Sequence, residues 1–287
     1  DAHQGVEVYG NSLGFIGHTQ KSRQGISCSV IAGSGDSMQR DYWYSSARRL
    51  RDLDTPEHVG DQAARRTLRR LGARRVPTCR VPVIYEAPVA SSLLGHFISA
   101  ISGGALYRKA SFLLDHLDKK IFPEFVRIHE QPLIMGGMGS AAFDGEGVAT
   151  SARDIVSDGI LRGYVLGSYS ARRLELQTTG NAGGVHNLTI DTGDQNLEQM
   201  ISGIDEGFLV TELIGFGINN VTGDYSRGAA GLWIENGEIA YPVEEVTVAG
   251  NLKDIFQNIA AIGNDVDPRR STRCGSILVE GLTIAGD

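Results

Sequence analysis

Pro88-Val89-Ala90-Ser91-Ser92-Leu93-Leu94-Gly95-His96-Phe97-Ile98-Ser99-Ala100-Ile101-Ser102 is the stretch that decides the fold. Val89, Leu93, Phe97 and Ile101 recur every four residues, the spacing of one helical face. Pro88 suits the first turn, where a missing N–H costs nothing, and Gly103-Gly104 are expected to end the helix. The apolar run Val81 to Tyr85 before it reads as a strand, so the pair predicts a strand entering a buried helix. The polar residues on this helix are Ser91, Ser92, His96, Ser99 and Ser102. Taken alone they fit small side chains packed under another backbone, with His96 a core histidine holding one hydrogen bond.

Upstream, residues 1–50 read as a β-meander: Val6 to Tyr9, Leu13 to Gln20, Ser22 to Ala32, then Met38 to Ser45 after the Gly33 to Asp36 turn. Tyr42-Trp43-Tyr44 could line a groove, although half-buried strand packing is the commoner role. Thr55-Pro56-Glu57 opens an amphipathic helix with Val59, Ala63, Ala64, Leu68 and Leu71 inward and Gly72 closing it. Its outer face carries Arg65, Arg66, Arg69 and Arg70. Such a face either binds phosphate or an acidic partner, or simply solvates the helix; the second is the expectation here. Around Arg75 the chain turns from arginine-rich to apolar, which places a domain boundary there, giving regions 1–75 and 76–287.

Downstream, Ser111 to Lys120 is expected as a helix, Phe125 to Glu130 as a strand, and Asp154 to Tyr164 as a hairpin turned by Asp158-Gly159. A short helix, Ser168 to Leu176, leads to the Thr178 to Gly184 loop. Strands at Val185 to Asp191 and Gly207 to Leu213 flank a helix at Asn196 to Ile204. A Gly223 to Gly228 loop leads into a second hairpin turned by Asn236-Gly237. Asn251 caps a helix running to Gly263, and strands Ser276 to Glu280 and Leu282 to Ala285 follow. Irregular alternation with several hairpins predicts an α+β fold with a large mixed or antiparallel sheet, packed helices and many Gly-rich loops.

Among the 287 residues are 37 glycines, and the net charge is −7, which disfavours nucleic-acid binding through the whole surface. No apolar run is long enough for a membrane span. Cys28, Cys79 and Cys274 are too few and too scattered for a disulfide framework and fit a reducing cytoplasm. His129-Glu130 has no second histidine in helical reach, and neither a G-x-S-x-G elbow nor a P-loop is present.

The segment around Gly95-His96 resembles the metal-binding helix of the TldD/PmbA family, whose catalytic members carry His-Glu, three residues, then His. On that alignment Ser91 replaces the first His and Ser92 the Glu, while His96 remains. The third ligand of catalytic members is a cysteine in a Cys-Gly pair, which aligns here with Ile262-Gly263. The resemblance is to the PmbA (TldE) branch. It runs through Tyr107-Arg108-Lys109, Asp158-Gly159-Ile160-Leu161, Gly180-Asn181-Ala182-Gly183-Gly184, Gly223-Asp224-Tyr225-Ser226-Arg227-Gly228 and Cys274-Gly275-Ser276. Zinc takes three protein ligands and needs a base to activate its water, and neither serine nor isoleucine supplies these.

The resemblance therefore implies a cytoplasmic subunit with no catalytic residue and no cofactor of its own. Zinc is expected in a TldD-like catalytic partner, in a complex that processes leader peptides and degrades small or unfolded polypeptides. This chain is expected to hold extended peptide, and to form a homodimer when the partner is absent. The family's N-terminal domain is not expected within a chain that starts at Asp1. The candidate interface or peptide-contact residues are Gly180, Asn181, Gly183, Gly184, Asp224, Tyr225, Ser226 and Arg227. The alternatives are a hydrolase acting alone through His96 with Cys274 or an acid elsewhere, and a gyrase- or DNA-associated modulator.

Overall fold

The computed structural model describes residues 1–286; Asp287, the end of the second region expected from the sequence, lies outside the described residues. The chain opens with a three-stranded antiparallel meander, β1 (Ala2–Gly10), β2 (Ile16–Ala32) and β3 (Gln39–Ala47). The two strands expected between Leu13 and Ala32 are one strand of 17 residues. It stays continuous because its first half pairs with β1 and its second with β3, the change falling at Gln24.

Helix α1 (Pro56–Leu68) lies against β2 and β3. Thr55 caps it, its hydroxyl accepting from His58 N at 3.2 Å. Val59 and Ala63 are buried as expected, but Leu68 is 56% exposed, and Arg66 and Thr67 take the inward positions instead. The helix ends at Leu68, ahead of Gly72. A buried arginine is tolerable only when paired, and Arg66 Nη1 donates to Glu86 Oε2 at 2.8 Å while Nε lies 3.3 Å from Asp41 Oδ2.

Next come β4 (Cys79–Tyr85), α2 (Ala87–Ala100) and α3 (Gly103–Tyr107). Gly103-Gly104 do not terminate the long helix; they begin the short one, capped by Ser102, whose hydroxyl accepts from Ala105 N at 3.4 Å. A Cβ on Gly103 would meet Ser170 Oγ at 2.2 Å, so only glycine lets this turn approach the segment around Ser170. The helix expected over 111–120 is absent, because Asp115 and Asp118 take left-handed conformations (φ 58° and 59°) that break it into turns.

The remaining elements are β5 (Ile128–Glu130), β6 (Arg153–Ser157), β7 (Ile160–Leu161), α4 (Ser168–Arg173), β8 (Leu188–Ile190) and α5 (Leu197–Ser202). They continue with β9 (Glu206–Ile214), β10 (Asp224–Glu235), β11 (Glu238–Asn251), α6 (Leu252–Gln257), β12 (Ile259–Ile262), β13 (Thr272–Arg273) and β14 (Ile277–Ala285). The expected helix from Asn251 to Gly263 stops at Gln257, because Ile259 to Ile262 instead pair with β14. Both predicted turns form, with Asp158-Gly159 and Asn236-Gly237 all at positive φ.

The main sheet has the order β11-β10-β9-β4-β14-β12, and β11 also pairs with β14, so the sheet closes on itself. A smaller sheet has the order β13-β8-β5-β6-β7. Only β4–β9 and β8–β13 are parallel among the named strand pairs. The class is α+β, as the sequence predicts. Helix α2 buries Leu93, Leu94 and Phe97 in the main core, where Phe97 meets Phe122 and Phe256 edge-on at 5.2 and 6.0 Å between centroids.

Two glycines give opposite expectations. A Cβ on Gly231, at a bulge in β10, would meet Leu209 O at 1.9 Å. Gly231→Ala should therefore lower unfolding stability by about 2 kcal/mol or more in urea titration. Gly60, mid-helix with nothing within 4 Å, should become more stable by about 0.5–1 kcal/mol as alanine.

Candidate functional site

The start of α2 is fixed from three sides. Glu86 N donates to Val210 O at 3.1 Å, and Ala87 N donates to Ser276 Oγ at 3.0 Å. The Glu86 carboxylate accepts from Arg66 at 2.8 Å and from Arg69 at 3.1 Å. This holds Ser91 and Ser92 where two open cavities meet, both serines lining both. One cavity is about 790 Å³ and is walled by Tyr44, Arg48, Met138, His186, Arg269 and Arg270. The other is about 270 Å³ and is walled by Asp41 to Tyr44, Arg66, Thr211, Glu212 and Arg227, with Arg269 and Arg270 shared.

Along the wall, arginine alternates with aromatic rings. The Arg269 guanidinium stands 3.8 Å from the centre of the Trp43 ring and 4.4 Å from that of Tyr44. It is held there by Asp267, at 2.7 and 2.9 Å, and by Tyr44 O at 3.0 Å. Arg270 Nε donates to the Tyr44 hydroxyl at 3.0 Å. Tyr42, Trp43 and Tyr44 thus line a groove, the role the sequence reading had ranked second.

Beside the serines lies a group of polar atoms that are shielded from solvent and hydrogen-bonded to nothing: Ser92 Oγ, His96 Nε2, Arg227 Nε and the hydroxyls of Tyr85 and Tyr225. The His96 ring packs edge-on to Tyr225, 6.0 Å between centroids. Burial, and secondarily the Arg227 charge, holds the His96 pKa below its ordinary value. Burial likewise raises both phenols, and the two hydroxyls lie close enough to influence each other without completing a hydrogen bond. Each unpaired buried polar group costs about 1–3 kcal/mol, so a concentration of them in one place marks a built site.

The structure separates the other residues singled out in the sequence. Ile262 is 2% exposed on β12, pairs with Ile277 and lines neither cavity. The C-terminal segment instead brings Arg269 and Arg270 to the serines, a placement that only the tertiary fold reveals. Cys274 is buried in the core, its thiol donating to Gly275 O at 3.0 Å, and burial pushes its pKa far up, so no thiolate forms beside His96.

Asp224, Tyr225, Ser226 and Arg227 are not a loop but the first rungs of β10, paired with Asn251 to Val248. Tyr225 points into the core, and Arg227 reaches the smaller cavity. Gly180, Asn181, Gly183 and Gly184 do form a loop, at a different groove of about 580 Å³ near the C-terminal end of α2. Asn181 is buried there, its amide donating to Glu130 at 3.0 and 3.1 Å and accepting from Arg153 at 2.9 Å. Of the four arginines expected to solvate the outer face, Arg65 on α1 is exposed, while Arg66 on α1 and Arg69 just beyond it pair with Glu86, and Arg70 pairs with Glu212.

The side chains present around the serines are not those of a zinc site. At the positions of the first ligand and the base stand two hydroxyls, and the segment facing them offers guanidinium groups. Among the described residues no cluster of three or more His, Cys, Asp or Glu is disposed to hold a metal ion. This donor set does not fit zinc.

Comparison with known proteins follows from this geometry. Residues 1–71 match the model of the PmbA/TldA metallopeptidase central domain, and residues 78–286 match that of the C-terminal domain. The chain is 50% identical over its whole length to Metalloprotease PmbA of Escherichia coli O157:H7, and 44% identical to the Haemophilus influenzae PmbA homolog. It spans 64% of the length of each. Among solved structures, a candidate modulator of DNA gyrase from Bacteroides thetaiotaomicron superposes with a TM-score of 0.92 at 35% identity, covering 96% of this chain and 63% of that one. TldE from Thermococcus kodakarensis shares the fold, with a TM-score of 0.83 at 23% identity over 96% of this chain and 65% of that one. The chain belongs to the PmbA/TldA metallopeptidase family, in its PmbA (TldE) branch.

The buried environment of His96 gives a titration test. In NMR it should titrate below the 6.5 of a free imidazole, and Arg227→Gln should move it only part of the way back, since burial is the larger cause. Because the unfolded chain takes up this proton first, the contribution of His96 to stability is complete above pH 6.5 and is lost as pH falls below it.

Proposed function

We propose that this chain is the metal-free subunit of a cytoplasmic TldD/TldE-type zinc metallopeptidase complex that trims leader peptides and degrades small or unfolded polypeptides. The observation that carries the reading is the pair Ser91 and Ser92, which present hydroxyls at the base of the cleft where catalytic relatives are expected to present an imidazole and a carboxylate. A serine hydroxyl neither binds zinc well nor accepts a proton from water near neutral pH, so the cleavage step belongs to a TldD-like partner carrying the zinc. This chain contributes the wall of the chamber.

Support for a peptide-holding role comes from β3. It pairs with β2 on one side only, and its Asp41 to Tyr44 line the smaller cavity. An extended peptide can add to such an edge through main-chain hydrogen bonds by displacing the contacts that Tyr44 O makes with Arg269 and Tyr42 N with Asp41 Oδ1, a mode with little sequence preference. Trp43 and Tyr44 supply apolar surface beside that edge.

Cleavage of a precursor peptide, with zinc supplied, is the direct test. This protein alone and the TldD-like partner alone should each be inactive, and the mixture should cut and stop on chelation. Cleavage by this protein alone, lost on His96→Ala, would instead make it a hydrolase in its own right. DNA binding that weakens steeply with salt would favour the gyrase-associated role.

A further inference from the structure

We infer that the cleft over Ser91 and Ser92 is a carboxylate-binding site in which Arg227 grips one carboxylate of the bound peptide, with Arg270 across the cavity as the second cation. The inference deepens the peptide-holding role proposed above and rests on it for the identity of the ligand.

The smaller cavity carries more cationic than anionic side chains. Its acids are already engaged: Asp41 lies 3.3 Å from Arg66, and Glu212 pairs with Arg70. Two of its arginines are engaged as well, Arg66 by Glu86 at 2.8 Å and Arg269 by Asp267 at 2.7 Å. Two are left over. Arg270 donates to the neutral hydroxyl of Tyr44 and has no carboxylate within ion-pair distance among the described residues, Asp267 acting on it only from further off. Arg227 has no carboxylate in ion-pair contact among the described residues, and its Nε is buried and donates to nothing.

A half-buried guanidinium without an anion is costly, and the neighbours of Arg227 do not relieve it. Its surroundings are Tyr85, Tyr225 and a His96 kept neutral by burial, none of them negative near neutral pH. These groups supply the rest of a cradle. The Ser92 hydroxyl is unpartnered at the same wall, and two unpartnered phenols stand behind Arg227. A guanidinium fork matches the two oxygens of a carboxylate and holds it by paired charge-assisted hydrogen bonds.

The two uncompensated guanidinium charges do not by themselves choose between anions; the peptide-holding role selects a carboxylate, the anionic group that an unmodified peptide carries. The cavity, about 270 Å³, opens beside the free edge of β3, where the end or a side chain of an extended peptide would enter. The carboxylate has two sources, the peptide's C-terminus or an Asp or Glu side chain.

The test is calorimetric titration of the full-length protein with three probes. These are an N-acetylated alanine hexapeptide with a free C-terminal carboxylate, its C-terminal amide, and that amide with one internal Glu. The free acid should bind about tenfold or more tighter than the plain amide, and Arg227→Gln should erase the difference. Tight binding of the Glu-containing amide assigns the carboxylate to a side chain; tight binding of the free acid alone assigns it to the C-terminus. Equal binding of all three probes, binding of none, or a difference that survives Arg227→Gln overturns the inference. The probe comparison on the unaltered protein decides even where the variant fails to fold, and Arg270→Gln should give a smaller loss in the same assay. The cleavage test is independent: a mixture that cuts peptide without any acid–amide difference removes this inference alone. A difference with no cleavage by the mixture removes the subunit reading alone.

Discussion

The chain Asp41–Arg66–Glu86 holds the architecture of the cleft together. Asp41 sits on β3, Arg66 on α1, and Glu86 at the junction of β4 and α2, so one guanidinium ties three segments distant in sequence. Arg66 also donates to Thr211 O at 3.3 Å, which brings in β9. All three side chains are nearly excluded from water, so losing one partner strands the others, a loss of about 3–5 kcal/mol in comparable buried pairs. Together with the bond from Arg269 to Tyr44 O, this link fixes the aromatic wall on β3 relative to Ser91 and Ser92.

On the proposed reading, the fold has kept a helix and exchanged its chemistry. Phe97 and Leu93 anchor α2 in the core, while the polar face carries hydroxyls and one neutral imidazole. The groups that converge on that face from β10 and from the segment before β13 are guanidinium donors. A site that once required lone pairs now presents N–H and O–H groups. Such a site suits an anion.

The local parts of the fold were legible because they depend on residues close in sequence. Asn236-Gly237 and Asp158-Gly159 turn their hairpins through conformations that those residues adopt cheaply, and Thr55 and Asn251 cap their helices through N–H groups only three and two residues on. The misreadings are tertiary. Leu68 fits the apolar stripe of α1, but Arg66 is pulled inward by Glu86 and Asp41, which periodicity cannot see. Ile259 and Ile262, three apart, fit helical spacing and not strand alternation; a register shift between Ile259 and Ala261 accompanies their pairing with β14, and both are buried there. In the site, Ser91, Ser92 and His96 were legible by resemblance. Arg269 and Arg270 were not, since nothing local to Pro268-Arg269-Arg270 indicates which helix they will face.

The closed main sheet also sets an order of assembly on the ribosome. β4 emerges early, yet its neighbours are β9 and β14, with Tyr85 opposite both Val210 and Ile277. Its buried side chains, Val81, Val83, Ile84 and Tyr85, have no partner strand until β9 has been translated, and the second neighbour, β14, follows only after roughly sixty further residues. Pairing over such sequence separations is slow to nucleate and leaves sticky surface exposed meanwhile. The nascent chain is thus a natural client for holding chaperones, and a truncation ahead of β14 would yield an aggregate rather than a smaller working subunit.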